Sequence, residues 1–179
     1  MYKNGFTPGR GCNDQIFSLR QIVDKHLMVN KKVFCAFVDL EKAYDSVVRS
    51  KLWDVLKDYG VDGSLLRTMQ AMYENNQACV LVDGKMSEWF RIDKGLKQGD
   101  VMSPWTFNIY MDSVMRDAHN PNAGVKIGGE NVSVLLYADD VVFISDTAKG
   151  LQDIVDQFDA ACEPKSLRIN AWENQSSGV

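Results

Sequence analysis

Apolar residues recur along this chain with two periods that alternate in blocks. Ile16, Leu19, Val23 and Leu27 fall three and four residues apart, the spacing of one helix face, with Asn13 or Asp14 available as a cap. That stripe predicts a helix packed into plain core. Residues 33–38 form a short β-branched and aromatic run, which predicts a buried strand ending at Asp39. Val48, Leu52, Val55 and Leu56 then predict a helix closed by Gly60, and Leu65, Leu66, Met69 and Met72 a second. Asp83-Gly84, flanked by residues 80–82 and 86–92, predicts a hairpin, and Gly95 to Gly99 a loop. From Pro104, a residue suited to a first helical turn, Phe107, Tyr110, Met111, Val114 and Met115 predict a helix to about Asn120. Residues 132–137 and 141–145 are apolar runs separated only by Ala138-Asp139-Asp140, hence a tight hairpin carrying two acids. Asp146 or Thr147 caps a helix with Leu151, Ile154, Val155 and Phe158 inside, before a last short strand over 166–170.

From residue 33 the order is strand, helices, strand pair, helix, strand hairpin, helix, strand. It predicts an α+β fold: an antiparallel sheet with helices on one face, in the ferredoxin-like split βαβ topology. No repeat, Pro-rich linker or Ser/Gly tract divides the 179 residues, so one compact unit is expected. With 45% apolar and 25% charged residues the composition excludes disorder and low-complexity chains.

The apolar run 141–144 falls far short of the roughly 20 residues of a membrane span. Residues 1–10 carry Lys3 and Arg10 without an apolar stretch, so no secretory signal is expected. Cys12, Cys35, Cys79 and Cys162 have neither zinc nor disulfide-framework spacing, which suits reduced thiols. An intracellular place, nuclear or cytoplasmic, is expected. The net charge of −4 is uneven. Residues 1–53 hold nine Lys and Arg against five Asp and Glu, and residues 54–179 hold eleven against nineteen. A polyanion meets the first part more easily than the second.

Asp39 ends one strand and Asp139-Asp140 occupy the turn of another pair. Each acid group alone is explained by capping or by the bend. Two charges between the apolar runs Leu135-Leu-Tyr137 and Val141-Val-Phe-Ile144 are costly without a cation, however, and oxygen-only donors favour a hard ion such as Mg²⁺. Two such ions activate an attacking hydroxyl and stabilise leaving pyrophosphate.

Four segments together resemble reverse transcriptases, most closely those of non-LTR (LINE-type) retrotransposons. Tyr137-Ala-Asp-Asp140 resembles that family's Y-x-D-D box, and Phe37-Val-Asp-Leu-Glu-Lys-Ala-Tyr-Asp45 its F-x-D-x-x-K-A-[FY]-D box. Gly95-Leu-Lys-Gln-Gly-Asp-Val-Met-Ser-Pro104, followed by Phe107-Asn108 and Tyr110-Met-Asp112, resembles the box between them, and Gly5-Phe-Thr-Pro-Gly-Arg-Gly11 a segment of the fingers.

The resemblance implies a polymerase palm over 33–179 with a partial fingers segment over 1–32, and RNA-directed DNA polymerase activity. It implies that Asp39, Asp139 and Asp140 hold two Mg²⁺ ions, with Mn²⁺ as a substitute, helped by the Leu40 carbonyl. Lys42 and the Ala43 backbone would approach the triphosphate, Tyr44 would lie under the sugar and reject a ribose 2′-hydroxyl, and Gln98 and Gly99 would pack against the incoming nucleotide. Arg10 and Tyr137 would touch nucleic acid, and Asp112 is expected as a solvated helix residue. Implied partners are an RNA template, a DNA primer and dNTPs, with no membrane.

The family places finger strands before Gly5 and a thumb downstream, so a longer polyprotein is expected to supply them. Ser166-Leu-Arg-Ile-Asn170 resembles the family's G-L-x-x-N segment, but the lysine-rich continuation is replaced by Ala171-Trp-Glu-Asn-Gln-Ser-Ser-Gly-Val179. The alternative is therefore a truncated, inactive retrotransposon remnant that at most binds metal or nucleic acid. A different nucleotide cyclase or polymerase on the same palm is disfavoured by Tyr44 and the Gln98 box.

Overall fold

The sheet that carries the acids is assembled from segments far apart in sequence. The computed structural model describes residues 2–3, 9, 11–118, 120 and 123–170. Its first half runs β1 (Tyr2–Lys3), α1 (Cys12–Met28), β2 (Phe34–Val38), α2 (Ala43–Ser46), α3 (Arg49–Asp58), α4 (Gly63–Ala71) and four two-residue strands, β3 (Gln77–Ala78), β4 (Leu81–Val82), β5 (Lys85–Met86) and β6 (Phe90–Arg91). The second half runs α5 (Ser103–Asp117), β7 (Val125–Ile127), β8 (Glu130–Val132), β9 (Val134–Tyr137), β10 (Asp140–Ser145) and α6 (Ala148–Cys162), ending in a short 3-10 turn, Glu163–Lys165. Among the described residues no helix is long and apolar enough to cross a membrane.

The central sheet has the order β1-β9-β10-β2. β10 pairs antiparallel with both β9 and β2, so the latter two run parallel with β10 between them. Beyond β2 an isolated antiparallel bridge joins Leu40 to Ile169. The chain thus leaves β2, passes through α3 to α5, returns two places away at β9, and crosses again through α6 to the far side of β2. β1, which pairs parallel with β9, has too few residues to be seen as a strand in the sequence.

Alternation along the strands divides the side chains between two faces. Val38, Leu136, Val141 and Phe143 point into the main core, where Phe107, Tyr110 and Met111 of α5 and Phe158 of α6 are fully buried. Each such ring or branched chain contributes roughly 1.5–3 kcal/mol by leaving water. Leu135 and Ile144 point the other way and meet Ile22 of α1. The expectation of helices on one face therefore holds for α5 and α6, whereas α1 covers part of the opposite face. The helical side of α1 is also corrected: Gln15, Ile22 and His26 are buried and Leu19 partly so, while Ile16 and Leu27 are exposed. The inward stripe is displaced because two polar residues share it, and the His26 Nδ1 meets the Ile22 carbonyl at 2.8 Å.

Elsewhere the α5 expectation holds, with Pro104 in the first turn, and the Thr147 hydroxyl caps α6 by accepting from the Gly150 N–H. Asp112 is corrected too: it is not simply solvated but accepts a 2.6 Å hydrogen bond from the Tyr59 hydroxyl.

Candidate active site

Register brings the acids together. Val141 pairs with Val38 at the end of the β10–β2 ladder, so Asp140 and Asp39 follow directly beyond that last pair on neighbouring strands. On the other side Asp140 pairs with Tyr137, and Ala138-Asp139 make the turn, with Ala138 held at φ 56°. In place of the strand expected over 166–170 there is only the isolated bridge at Ile169, and it fixes Asp39 from its free side. The Asn170 N–H donates to the Asp39 carbonyl at 2.9 Å, and the Asn170 amide reaches the Asp39 carboxylate at 3.5 Å.

The carboxylates sense one another. Burial, then Asp139, then Asp39 push the Asp140 carboxyl above its ordinary range. Burial, with Asp139 as the second cause, pushes the Tyr44 phenol up to about 12. Two clefts flank the hairpin tip. Asp139 opens into one, with Lys42, Ala43, Tyr44, Gln98, Gly99 and Ser103. Asp39, Asp140 and Tyr137 line the other, against α1. Among the described residues no group of three acid, His or Cys side chains is placed so that it could hold a metal ion. The donor set is nevertheless all oxygen, the chemistry that suits a hard divalent cation, and a cation beside these acids would offset both the burial and the repulsion that raise Asp140.

The cleft floor is rigid because two loops are stitched together. The Leu96 N–H donates to the Tyr44 carbonyl at 2.9 Å and the Gly95 N–H to the Val47 carbonyl at 2.8 Å. Gly95 has φ +87°, and a Cβ there would stand 3.1 Å from the Asp45 backbone, so the close approach requires glycine. Gln98 reaches the Asp45 carboxylate at 3.4 Å. Arg49 holds the same loop from behind, donating to the carbonyls of Ile92 at 2.8 Å, Gly95 at 3.0 Å and Lys94 at 3.3 Å. Tyr44 stacks on Phe107 with ring centroids 4.5 Å apart.

Every candidate except Arg10 can be placed. Arg10 and most of Gly5 to Gly11 lie outside the described residues, as do residues 171–179. Leu40 is buried in the bridge to Ile169, whose hydrogen bonds run from Asn170 to Asp39 and from Glu41 to Arg168, flanking it. Lys42 is exposed and left-handed, at φ 46°. Asp45 and Arg49 were missed as supports; Asp45 closes the box that carries Tyr44, but nothing in the sequence marks Arg49.

The Tyr44 hydroxyl is buried with no partner among the described residues. Tyr44→Phe removes that orphan donor and keeps the ring, so the variant is expected to gain about 1 kcal/mol, read as a higher urea midpoint at unchanged slope. A lower midpoint would mean that the hydroxyl has a partner in solution.

Residues 3–172 match the family model described as reverse transcriptase (RNA-dependent DNA polymerase). The chain is 31% identical over 178 residues to the retrovirus-related Pol polyprotein from type-2 retrotransposable element R2DM of Drosophila melanogaster, covering 99% of this chain and 17% of that protein. It is 26% identical over 181 residues to the RNA-directed DNA polymerase from mobile element jockey of the same fly, covering 95% and 19% respectively. Among solved structures, telomerase from Candida albicans in complex with a TWJ fragment of telomeric RNA superposes with TM-score 0.72 at 11% identity, over 94% of this chain and 30% of that one. Apo telomerase from Candida tropicalis, truncated from its C-terminal domain, gives 0.70 at 14% identity, over 98% and 36%. At these identities the structural likeness speaks for the fold. The chain spans about a sixth of the length of the R2 relatives.

Proposed function

Because the chain belongs to the reverse transcriptase (RNA-dependent DNA polymerase) family, we propose that it is the palm, with part of the fingers over 1–32, of a non-LTR retrotransposon polymerase. It adds deoxynucleotides to the 3′-hydroxyl of a DNA primer on an RNA template. The observation that carries this reading is that Asp140 sits at one end of the sheet within electrostatic reach of both Asp139 and Asp39, with Asp139 lining the cleft that also holds Tyr44. The strand order β9-β10-β2, with Ile169 beyond, supports the split βαβ palm over 33–179. The R2 and jockey relatives support the retrotransposon assignment.

Asp39, Asp139, Asp140 and the Leu40 carbonyl would hold divalent ions, two Mg²⁺ in this reading, with Mn²⁺ as a substitute. When bound, such ions supply positive charge to the attacking and leaving oxygens of an in-line displacement. The protein's own part is positioning. Lys42, exposed at the cleft mouth, brings an ammonium toward the triphosphate, and the Ala43 backbone lies beside it. Tyr44, braced by Phe107, forms a wall under the sugar that has no room for a 2′-hydroxyl. Gln98 and Gly99, on the loop clamped by Arg49, border the space for the incoming base. Tyr137 and Arg10 contact the nucleic acid. The remaining fingers and the thumb come from a longer polyprotein, which acts where RNA template and DNA primer meet, in the nucleus or cytoplasm.

The test is primer extension on poly(rA)/oligo(dT) with labelled dTTP and Mg²⁺ or Mn²⁺. Extension by the chain that is lost in an Asp139→Asn, Asp140→Asn double variant is the expected result. No extension by the folded parent chain would overturn the claim of activity and leave the inactive remnant.

A further inference from the structure

The loop that borders the nucleotide space holds itself together poorly. Beyond Leu96 its exposed residues include Gln98 and Gly99. The Asp100 N–H reaches the Lys97 carbonyl, and the Met102 N–H the Asp100 carboxylate, each only at 3.4 Å. Where Gln98 and Gly99 stand therefore depends on how the two flanks, Lys97 and Ser103, are held.

Tyr73, two residues beyond the end of α4 and 8% exposed, holds both from behind the cleft. On one flank the Lys97 ammonium lies 5.5 Å from the centre of the Tyr73 ring and donates to the neighbouring Met72 carbonyl at 2.6 Å. On the other flank the Tyr73 hydroxyl meets Ser103 Oγ at 3.2 Å, and Ser103 Oγ donates to the Asp100 carboxylate at 3.2 Å. Serine has one hydroxyl hydrogen and the carboxylate takes it, so Tyr73 is the donor of the first bond. The two bonds then point the same way and polarise one another. Ser103 is buried, so water does not compete for them. The ring itself is fixed, with Trp53 edge-on at 5.6 Å and the Arg49 guanidinium 4.8 Å from its centre.

Resting on the polymerase reading, we propose that Tyr73 is a positioning residue for the incoming nucleotide, acting through Ser103 and Lys97 to keep Gln98 and Gly99 at the edge of the cleft. It touches no reacting atom. Its removal acts on nucleotide binding and leaves the chemical step alone.

The test uses Tyr73→Phe in the full chain, which deletes the hydroxyl, keeps the ring and leaves Ser103 its bond to Asp100. Amide hydrogen exchange, which needs no activity, is expected to quicken about three- to tenfold over residues 97–102 and to stay unchanged inside α5, the scale of one lost hydrogen bond. In primer extension on poly(rA)/oligo(dT), the half-saturating dTTP concentration is expected to rise about three- to tenfold, while the rate at saturation stays within about twofold. Ser103→Ala breaks the same bond from its other end, so adding Tyr73→Phe to it is expected to raise that concentration no further.

Unchanged exchange over 97–102, faster exchange throughout α5, an unmoved dTTP dependence, a loss confined to the saturated rate, or effects that multiply in the double variant would each overturn the role of Tyr73 and leave the polymerase reading intact. Failure of the folded parent chain to extend the primer would overturn both.

Discussion

The Asp39→Asn variant is expected to extend a primer roughly 10³-fold more slowly than the parent chain, or worse, while melting at the same temperature or slightly above it. The rate scale is that of removing one preorganised electrostatic group from a catalytic site. The unchanged or raised melting point follows from the site itself. Asp140 lies close enough to both Asp139 and Asp39 that, after burial, the two neighbours push its carboxyl upward. Neutralising one of three like charges relieves repulsion, and asparagine preserves the shape that lets Asn170 bond the residue 39 carbonyl. Loss of rate together with loss of stability would point to a structural carboxylate. Extension within tenfold of the parent would remove Asp39 from the catalytic set. Single-turnover extension and a thermal melt on the same preparation separate these outcomes.

Phe107→Ala is expected to cost about 3–5 kcal/mol, the range for deleting a fully buried aromatic ring. Phe107 has no exposed surface and lies under Tyr44 at 4.5 Å between centroids. Against a total stability of about 5–15 kcal/mol, that loss leaves a substantial unfolded fraction at moderate temperature. The folded remainder carries a second signature, because Tyr44 loses the ring that braces it and the wall beneath the nucleotide sugar becomes compliant. Selection for dTTP over UTP should therefore fall in Phe107→Ala and recover in Phe107→Leu, which refills most of the volume. A urea titration reads the first effect and competition between the two nucleotides the second. Intact selectivity in the alanine variant would show that Tyr44 is held by something other than Phe107.

The acid hairpin and the helices α3 to α6 were legible because their signals are local. Alternation on either side of Asp139-Asp140 and caps such as Thr147 need only neighbours in sequence. The meeting of Asp39 with that hairpin came from motif resemblance, since strand partners a hundred residues apart leave no local trace. The face of α1 was misjudged because Gln15 and His26 are buried, against the rule that polar residues face water. β7 and all of β8 but Val132 went unpredicted, because the apolar run was read only from 132 to 137, although Gly128-Gly129, both at positive φ, are a two-residue hairpin signal. Arg49 was invisible because its value lies in carbonyls that fold against it from 43 to 46 residues away.

The hydrogen bond from Asn170 to Asp39 spans 131 residues. On a ribosome adding about 5–20 residues per second, Asp39 waits on the order of 10 s after its own synthesis for that partner to appear. β2 and the start of its motif emerge early with both edges unpaired, and Asp39 gains its outer partner only after α6 and the segment that bridges Leu40 at Ile169 have left the exit tunnel. A nascent chain interrupted before Leu167 would carry every proposed catalytic acid and still lack the edge that fixes Asp39.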